Sequence, residues 1–142
     1  MKPVQVNLEA PCPVEQLFAC VDDLARYPAW LELVQRAEPE GAEAWSVVLA
    51  ARLGPLRRSK RLRMVRTVFE AGHYVRFERR ELDGRAHAAW VLEAEVLPTT
   101  VGSELSMTMG YDGQWWGPLI ERVLVEQIES ARPRLVALAA SG

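Results

Sequence analysis

The sequence predicts an α+β domain in which a curved antiparallel sheet of about six to seven strands surrounds one long C-terminal helix. Three observations predict this architecture. Apolar and polar residues alternate through most of residues 45–111, only residues 113–140 show long helical periodicity, and no linker or repeat divides the chain. With 142 residues, 49% of them apolar, the chain can bury a core without disulfides or metals. We therefore assign residues 1–142 to a single domain.

One strand and two short helices are predicted at the start of the chain. Residues 4–8 alternate between apolar and polar side chains, which is typical of a half-buried strand. Pro13 suits the first position of a helix, and apolar residues follow it at helical spacing. Pro28 is expected to end this helix, because a residue before proline avoids the helical conformation. Residues 29–34 are then expected to form a second short helix.

The middle of the chain predicts a meander of antiparallel strands. Gly54-Pro55 and Asp83-Gly84 are turn signals between alternating segments. Successive strands joined by short turns imply an antiparallel sheet with one apolar face. The strands are expected over residues 45–53, 56–70, 73–82, 88–96 and 105–111.

Residues 113–140 predict the long helix. Its apolar stripe consists of Ile120, Leu124, Ile128, Ala131, Leu135 and Leu138. Pro133 lies inside this stripe and is expected to kink the helix rather than end it, because the apolar pattern continues afterwards.

Composition argues against several classes of partner. The net charge is −2, so no global field is expected to attract nucleic acid or an anionic membrane. No run of 18 apolar residues is present, and the first residues lack the apolar stretch of a signal peptide. We expect a cytoplasmic monomer or homodimer without a membrane span. Cys12 and Cys20 are expected to be small packed residues rather than a disulfide or a reactive thiol.

No motif for a metal or an organic cofactor is present. His73 and His87 have no evident acidic partner in the pattern, and no Cys/His cluster has the spacing of a zinc site. Phosphate-binding loops and dinucleotide fingerprints are also missing. We expect no metal and no cofactor, which disfavours a cofactor-dependent enzyme.

Two segments near the N-terminus carry a family resemblance. The stretch Pro13-Val14-Glu15-Gln16-Leu17-Phe18, followed by residues 21–30 with Arg26-Tyr27-Pro28-Ala29-Trp30, resembles the START/Bet v 1-like (SRPBCC) superfamily, and within it the bacterial polyketide cyclase/dehydrase-like branch. The resemblance covers essentially the whole chain. It implies a helix-grip fold with an apolar cavity between the sheet and the C-terminal helix. Members include aromatase/cyclases, lipid and quinone carriers, hormone receptors and cochaperone-like domains, so it does not imply one ligand.

The inward side of the predicted sheet is rich in aromatic and methionine side chains. Because a sheet of six strands is broader than one helix, space can remain beneath the short helices and serve as a pocket. Such side chains adapt to irregular apolar ligands, although they can also fill the core themselves. Trp30 and one of Trp115 or Trp116 are expected at the cavity rim. The candidate ligand-binding residues are Trp30, Met64, Arg66, Phe77, Trp90, Met107, Met109, Tyr111, Trp115, Trp116 and Ile120.

Two arginines share the inward parity of their strands. Arg66 is predicted to be at least half-buried and hydrogen-bonded to an acidic side chain or a carbonyl, where it could anchor a polar ligand atom. A β-bulge that turns it to water is an equal alternative. For Arg79 exposure to water is favoured, with Glu81 as the alternative partner. The outward-facing charges are expected to form a solvated ion ladder of Arg61, Arg63, Arg76, Glu78, Arg80, Glu93 and Glu95.

Three functions remain open on the sequence alone. Binding or carriage of a hydrophobic or aromatic small molecule, such as a lipid or polyketide, is favoured. The alternative is a cofactor-free polyketide aromatase/cyclase or dehydratase, with Arg66 and Tyr111 as candidate catalytic residues. The third is a protein-interaction module that uses Trp115 and Trp116 as an exposed aromatic anchor.

Overall fold

The computed structural model describes residues 3–112 and 120–141, with the side chains of Leu53 and Ile120 left outside the description. Seven strands, one short α-helix, one 3₁₀ helix and one long α-helix follow each other along these residues. Their bounds are β1 Val4–Ala10, α1 Val14–Phe18, the 3₁₀ helix Leu24–Ala29, β2 Val34–Pro39, β3 Ala44–Leu53, β4 Leu56–Glu70, β5 Tyr74–Arg79, β6 Ala89–Thr99, β7 Gly102–Asp112 and α2 Ile120–Ser141.

All seven strands form one antiparallel sheet in the order β1-β7-β6-β5-β4-β3-β2. The sheet curls into a half-barrel, and α2 lies against β1, α1 and the 3₁₀ helix. Apolar side chains from the inner face of the sheet and from α2 form one buried core. This arrangement confirms the predicted helix-grip fold.

The short helices differ from their predicted bounds. α1 ends at Phe18, and the next helical segment is a 3₁₀ helix that contains Pro28. The carboxylate of Asp23 caps this segment by accepting a hydrogen bond of 2.9 Å from the backbone N–H of Ala25. The predicted helix over residues 29–34 is therefore wrong, because the helical segment ends at Ala29 and Val34 already belongs to β2.

A β-bulge interrupts the predicted parity of β4. Met64 lies opposite Arg79 and Arg66 opposite Phe77, but Val68 lies opposite Arg76 because the register shifts between Arg66 and Val68. One extra residue reverses the faces of a strand beyond the bulge. Arg66 therefore keeps its inward side, whereas Val68, expected to face inward, is 38% exposed.

Charged side chains pair across the outer face as expected. Arg76 lies opposite Glu93, with its Nη1 2.8 Å from Glu93 Oε1, and its Nε is 3.1 Å from Glu78 Oε2. Arg80 extends the row, with Nη2 3.6 Å from Glu78 Oε1. These pairs confirm the ion ladder on this part of the sheet.

α2 continues through Pro133 to Ser141, so the proline does not end the helix. Cys12 and Cys20 are both free and buried, which confirms the packing role predicted for them. No helix among the described residues is both long and apolar enough to cross a lipid bilayer.

Candidate functional site

A small apolar cavity lies where β5 ends. Met64 on β4 pairs with Arg79, the last residue of β5, and Val91 on β6 pairs with Glu78. Beyond this level no β5 residue separates β4 from β6. The space left there has a volume of about 30 Å³, enough for one or two waters. It is lined by Leu24, Val34, Val47, Leu49, Leu62, Met64, Trp90, Val91, Leu92 and Met109.

Three of the predicted ligand-binding residues line this cavity, namely Met64, Trp90 and Met109. A fourth, Tyr111, packs against the indole of Trp90 with ring centroids 4.5 Å apart. The inward parity of β4, β6 and β7 therefore brings these four side chains to one part of the core.

Other predicted residues are core residues away from the cavity lining. Phe77 and Met107 are fully buried, and so is Trp30, whose Nε1 donates a hydrogen bond of 3.0 Å to the carbonyl of Cys20. The expected position of Trp30 at a rim is therefore wrong, because no part of the side chain reaches solvent. Trp115, Trp116 and the side chain of Ile120 lie outside the described residues.

Arg66 is a partly buried structural link at another place on the sheet. Its side chain is 18% exposed, its Nη1 donates 2.9 Å to the carbonyl of Asp22, and its Nη2 is 3.3 Å from Glu43 Oε1. The guanidinium also lies 4.3 Å from the ring centroid of Phe69. These contacts confirm the predicted burial and hydrogen bonding of Arg66. They tie β4 to the loop after α1 rather than to the cavity lining.

The two candidate catalytic residues are not neighbours on the sheet. Arg66 is on β4 and Tyr111 is on β7, with β5 and β6 between them. Three strand spacings correspond to about 14 Å along the sheet. The described structure therefore does not bring this pair together.

Arg79 is buried, contrary to the exposure favoured from the sequence. The register between Met64 and Arg79 has no bulge, so Arg79 keeps its inward parity. Its Nε is 2.7 Å from Glu81 Oε2, and its Nη1 donates 3.2 Å to the carbonyl of Ala88. Burial on its own would raise the pKa of Glu81, but the hydrogen bonds from Arg79 and from the backbone N–H of Arg63 outweigh it and lower that pKa.

Both histidines have acidic partners, which corrects the expectation that they have none. His73 Nδ1 is 2.9 Å from Glu70 Oε1, and its Nε2 is 3.1 Å from Glu95 Oε2. His87 Nε2 is 2.8 Å from Asp83 Oδ2. The sequence pattern missed these pairs because turns and a neighbouring strand bring the partners together. Among the described residues, no group of three or more His, Cys, Asp or Glu side chains is arranged to hold a metal ion.

A second, larger groove has a volume of about 380 Å³. Its β3 residues, Ala50, Ala51 and Arg52, directly follow Leu49 of the cavity wall in the sequence. We call it the hairpin groove, and it is lined by Glu32, Ala50, Ala51, Arg52, Arg57 and Gln127. Its volume is within the usual range for small-molecule pockets, but its lining is mainly polar.

Most of the cavity wall could not be predicted from the sequence. Four wall residues have the inward parity of core residues, namely Val47, Leu49, Leu62 and Leu92. Their residue types do not distinguish a side chain that lines a cavity from one that fills the core. The cavity lies where β5 ends. This boundary between strand and loop is not marked by a change in residue type, so the position of the cavity could not be predicted.

Comparison with protein families and solved structures gives a consistent result. The family model described as "Polyketide cyclase / dehydrase and lipid transport" matches residues 1–140. No curated protein matches the chain in sequence.

Solved structures with this fold share little sequence with the chain. A START superfamily protein from Mycobacterium smegmatis has a TM-score of 0.75 at 12% identity, covering 98% of this chain and 97% of its own. The protein TTHA0849 from Thermus thermophilus has a TM-score of 0.71 at 17% identity, covering 99% and 98%. Ara h 8.0201 has a TM-score of 0.65 at 12% identity, covering 99% of each chain. At these identities the likeness concerns the fold.

Proposed function

Because the chain belongs to the polyketide cyclase/dehydrase and lipid transport family, within the START/Bet v 1-like superfamily, we propose that it binds and carries a hydrophobic or aromatic small molecule. The observation that carries this proposal is the cavity at the end of β5, whose ten lining residues are all apolar. An apolar wall selects a ligand by its shape, and binding is favourable because apolar surface is removed from water.

Two flexible methionines give this cavity the means to enlarge. At about 30 Å³ the cavity is far smaller than the few hundred Å³ of a typical ligand pocket, so occupancy requires the wall to move. Met64 and Met109 line the cavity from two different strands, and methionine side chains repack at low cost. We propose that the ligand displaces these two side chains and opens the cavity toward the hairpin groove.

The lining also supports binding over acid–base catalysis. None of the ten wall residues carries an ionisable side chain, and the two candidate catalytic residues lie on strands that do not adjoin. A cyclase or dehydratase needs a positioned proton donor or acceptor at the reacting atoms. The described wall offers none, so we place no reaction in this cavity.

A fluorescence titration with N-phenyl-1-naphthylamine, a neutral aromatic probe, tests the proposal. We expect saturable binding of one probe per chain. Val47→Phe should weaken binding at least tenfold because the ring fills the cavity, whereas Val48→Phe, the same change on the opposite face of β3, should leave binding unchanged. Thermal unfolding confirms that both variants fold. Absence of saturable binding, or equal loss in the two variants, would refute the proposal.

A further inference from the structure

The chain concentrates its positive charge in one segment. Residues 44–69 contain seven of the 17 Lys and Arg residues and none of the 19 Asp and Glu residues. The segment therefore has a charge of +7, and the rest of the chain has a charge of −9. The net charge of −2 hides this separation, which is a sign of an interaction surface for an anionic partner.

The structure places five of these seven cations on a projecting arm. β2 pairs with β3 only as far as the Val34–Leu49 pair, and the Ala50 N–H then donates a hydrogen bond to the Leu33 carbonyl. On the other side, β5 pairs with β4 only as far as Met64. Residues 51–58 therefore form a two-stranded ribbon beyond β2 and β5, and residues 59–62 continue β4 along β3 without a β5 neighbour. We call residues 51–62 the hairpin arm. Two strands alone are only marginally stable in water, so the arm benefits from a surface that supports it.

Four arginines of the arm have no ion-pair partner within the described part of the chain. Arg52 and Arg57 lie directly opposite each other on β3 and β4, an arrangement of like charges that costs stability. Arg52, Arg57, Arg58 and Arg61 are all exposed, and none has an ion-pair partner among the described residues. This differs from the rest of β4, where Arg63 pairs with Glu40. The four guanidinium groups are thus available to an external anion.

The tip of the arm is apolar and exposed. Gly54 has a φ of +65°, which the first central position of the two-residue turn requires, and Pro55 follows it. Leu56, beside this turn, is 56% exposed. An exposed apolar tip flanked by arginines matches the layered structure of a membrane surface, in which anionic headgroups cover an apolar interior.

We propose that the hairpin arm docks on the surface of an anionic lipid bilayer, with the arginines at the headgroups and Leu56 inserted at the acyl boundary. The negative remainder of the chain is repelled by the same surface, which orients the molecule with its arm toward the membrane. A lipid surface fits better than single-stranded nucleic acid, because residues 51–62 contain no aromatic side chain on which bases could stack.

Co-sedimentation with vesicles measures this docking. The full chain is incubated with vesicles of pure phosphatidylcholine or with vesicles that also contain about 30% phosphatidylserine. Phosphatidylserine gives the second kind of vesicle a negative surface potential. We expect binding only to the anionic vesicles, with an affinity that falls as salt rises. The triple variant R57Q/R58Q/R61Q should bind about a hundredfold more weakly, since each basic residue at such a surface contributes about fivefold.

A charge-matched control separates local from global charge. The triple variant R85Q/R122Q/R132Q makes the same change in net charge on exposed arginines outside the arm, and it should bind like the original chain. Leu56→Ser should weaken binding about tenfold, whereas Leu82→Ser, at a side chain that is 80% exposed, should not. Thermal unfolding of every variant in solution confirms that it is folded.

Three outcomes overturn the proposal. One is equal binding to neutral and anionic vesicles or to neither, and another is an equal effect of the two triple variants. The third is arm-dependent binding to a single-stranded oligonucleotide without binding to anionic vesicles, which would assign the arm to nucleic acid. The probe titration of the cavity is done on the original chain without vesicles, so its outcome is distinguishable from all three; none of the substituted side chains lines the cavity, and Arg57 alone among them lines the hairpin groove.

Discussion

Arg79 and Glu81 form a buried ion pair beside the cavity, with Arg79 Nε 2.7 Å from Glu81 Oε2. The Arg79 side chain is only 6% exposed, and Met64, the residue opposite it on β4, belongs to the cavity wall. Glu81 also accepts a hydrogen bond of 3.1 Å from the backbone N–H of Arg63. The pair thus joins the end of β5 to β4 at the level where the cavity begins.

Removing the carboxylate of this pair should destabilise the fold. Glu81→Gln leaves the buried guanidinium of Arg79 without a counter-charge, so we expect the free energy of unfolding to fall by about 3 kcal/mol in chemical denaturation. Glu38→Gln is the control, since the Arg36–Glu38 pair is exposed and should cost less than about 1 kcal/mol. Similar losses in both variants would show that Arg79 is not held by Glu81.

The same pair should give the protein a characteristic acid sensitivity. Because the folded-state pKa of Glu81 is below its ordinary value, its contribution to stability is present above the ordinary glutamate pKa and lost as pH falls through the folded-state pKa. The stability difference between the original chain and Glu81→Gln should therefore shrink as the pH falls below the ordinary glutamate pKa of about 4.3. Denaturation curves at several pH values measure it, and a difference that is constant or grows toward low pH would contradict the assignment.

Trp30 should behave as a core residue rather than as a gate. Trp30→Phe removes the indole N–H that satisfies the Cys20 carbonyl and leaves unfilled space, so we expect a loss of about 2–4 kcal/mol in the free energy of unfolding. Stopped-flow exchange of N-phenyl-1-naphthylamine should be unchanged. A stable variant with faster exchange would instead place Trp30 at the cavity entrance.

Enlarging the cavity should strengthen binding at the expense of stability. Leu49→Ala removes wall atoms and should cost about 2–5 kcal/mol while raising the affinity for the same probe several-fold. Leu33→Ala is the matched control, because Leu33 is fully buried but does not line the cavity. It should lose comparable stability without gaining affinity. A gain in both variants would mean that the probe enters any void in the core.

The strands β3 to β7 and the inward Met64, Trp90, Met107 and Met109 could be predicted because period-two alternation directly reports which face is buried. β2 was not predicted as a strand of its own, since only Val34 of its six residues is buried and an edge strand needs no apolar alternation. The bulge after Arg66 was also unpredictable in position, because it depends on how β4 pairs with β5. Val68 and Arg79 were both predicted to face inward. Val68 lies beyond the bulge and is exposed, whereas Arg79 pairs with β4 before the bulge and its side chain is buried.

The most direct test of ligand binding in the cavity uses the four methionines of the chain. Methyl-¹³C methionine labelling gives one NMR signal per residue, assigned by single Met→Leu substitutions. Met64 and Met109 line the cavity, whereas Met107 is fully buried outside the lining. Titration with N-phenyl-1-naphthylamine should shift the Met64 and Met109 signals in a saturable manner and leave Met107 nearly unchanged. Saturable binding that leaves both signals in place, or no binding at all, would contradict the account.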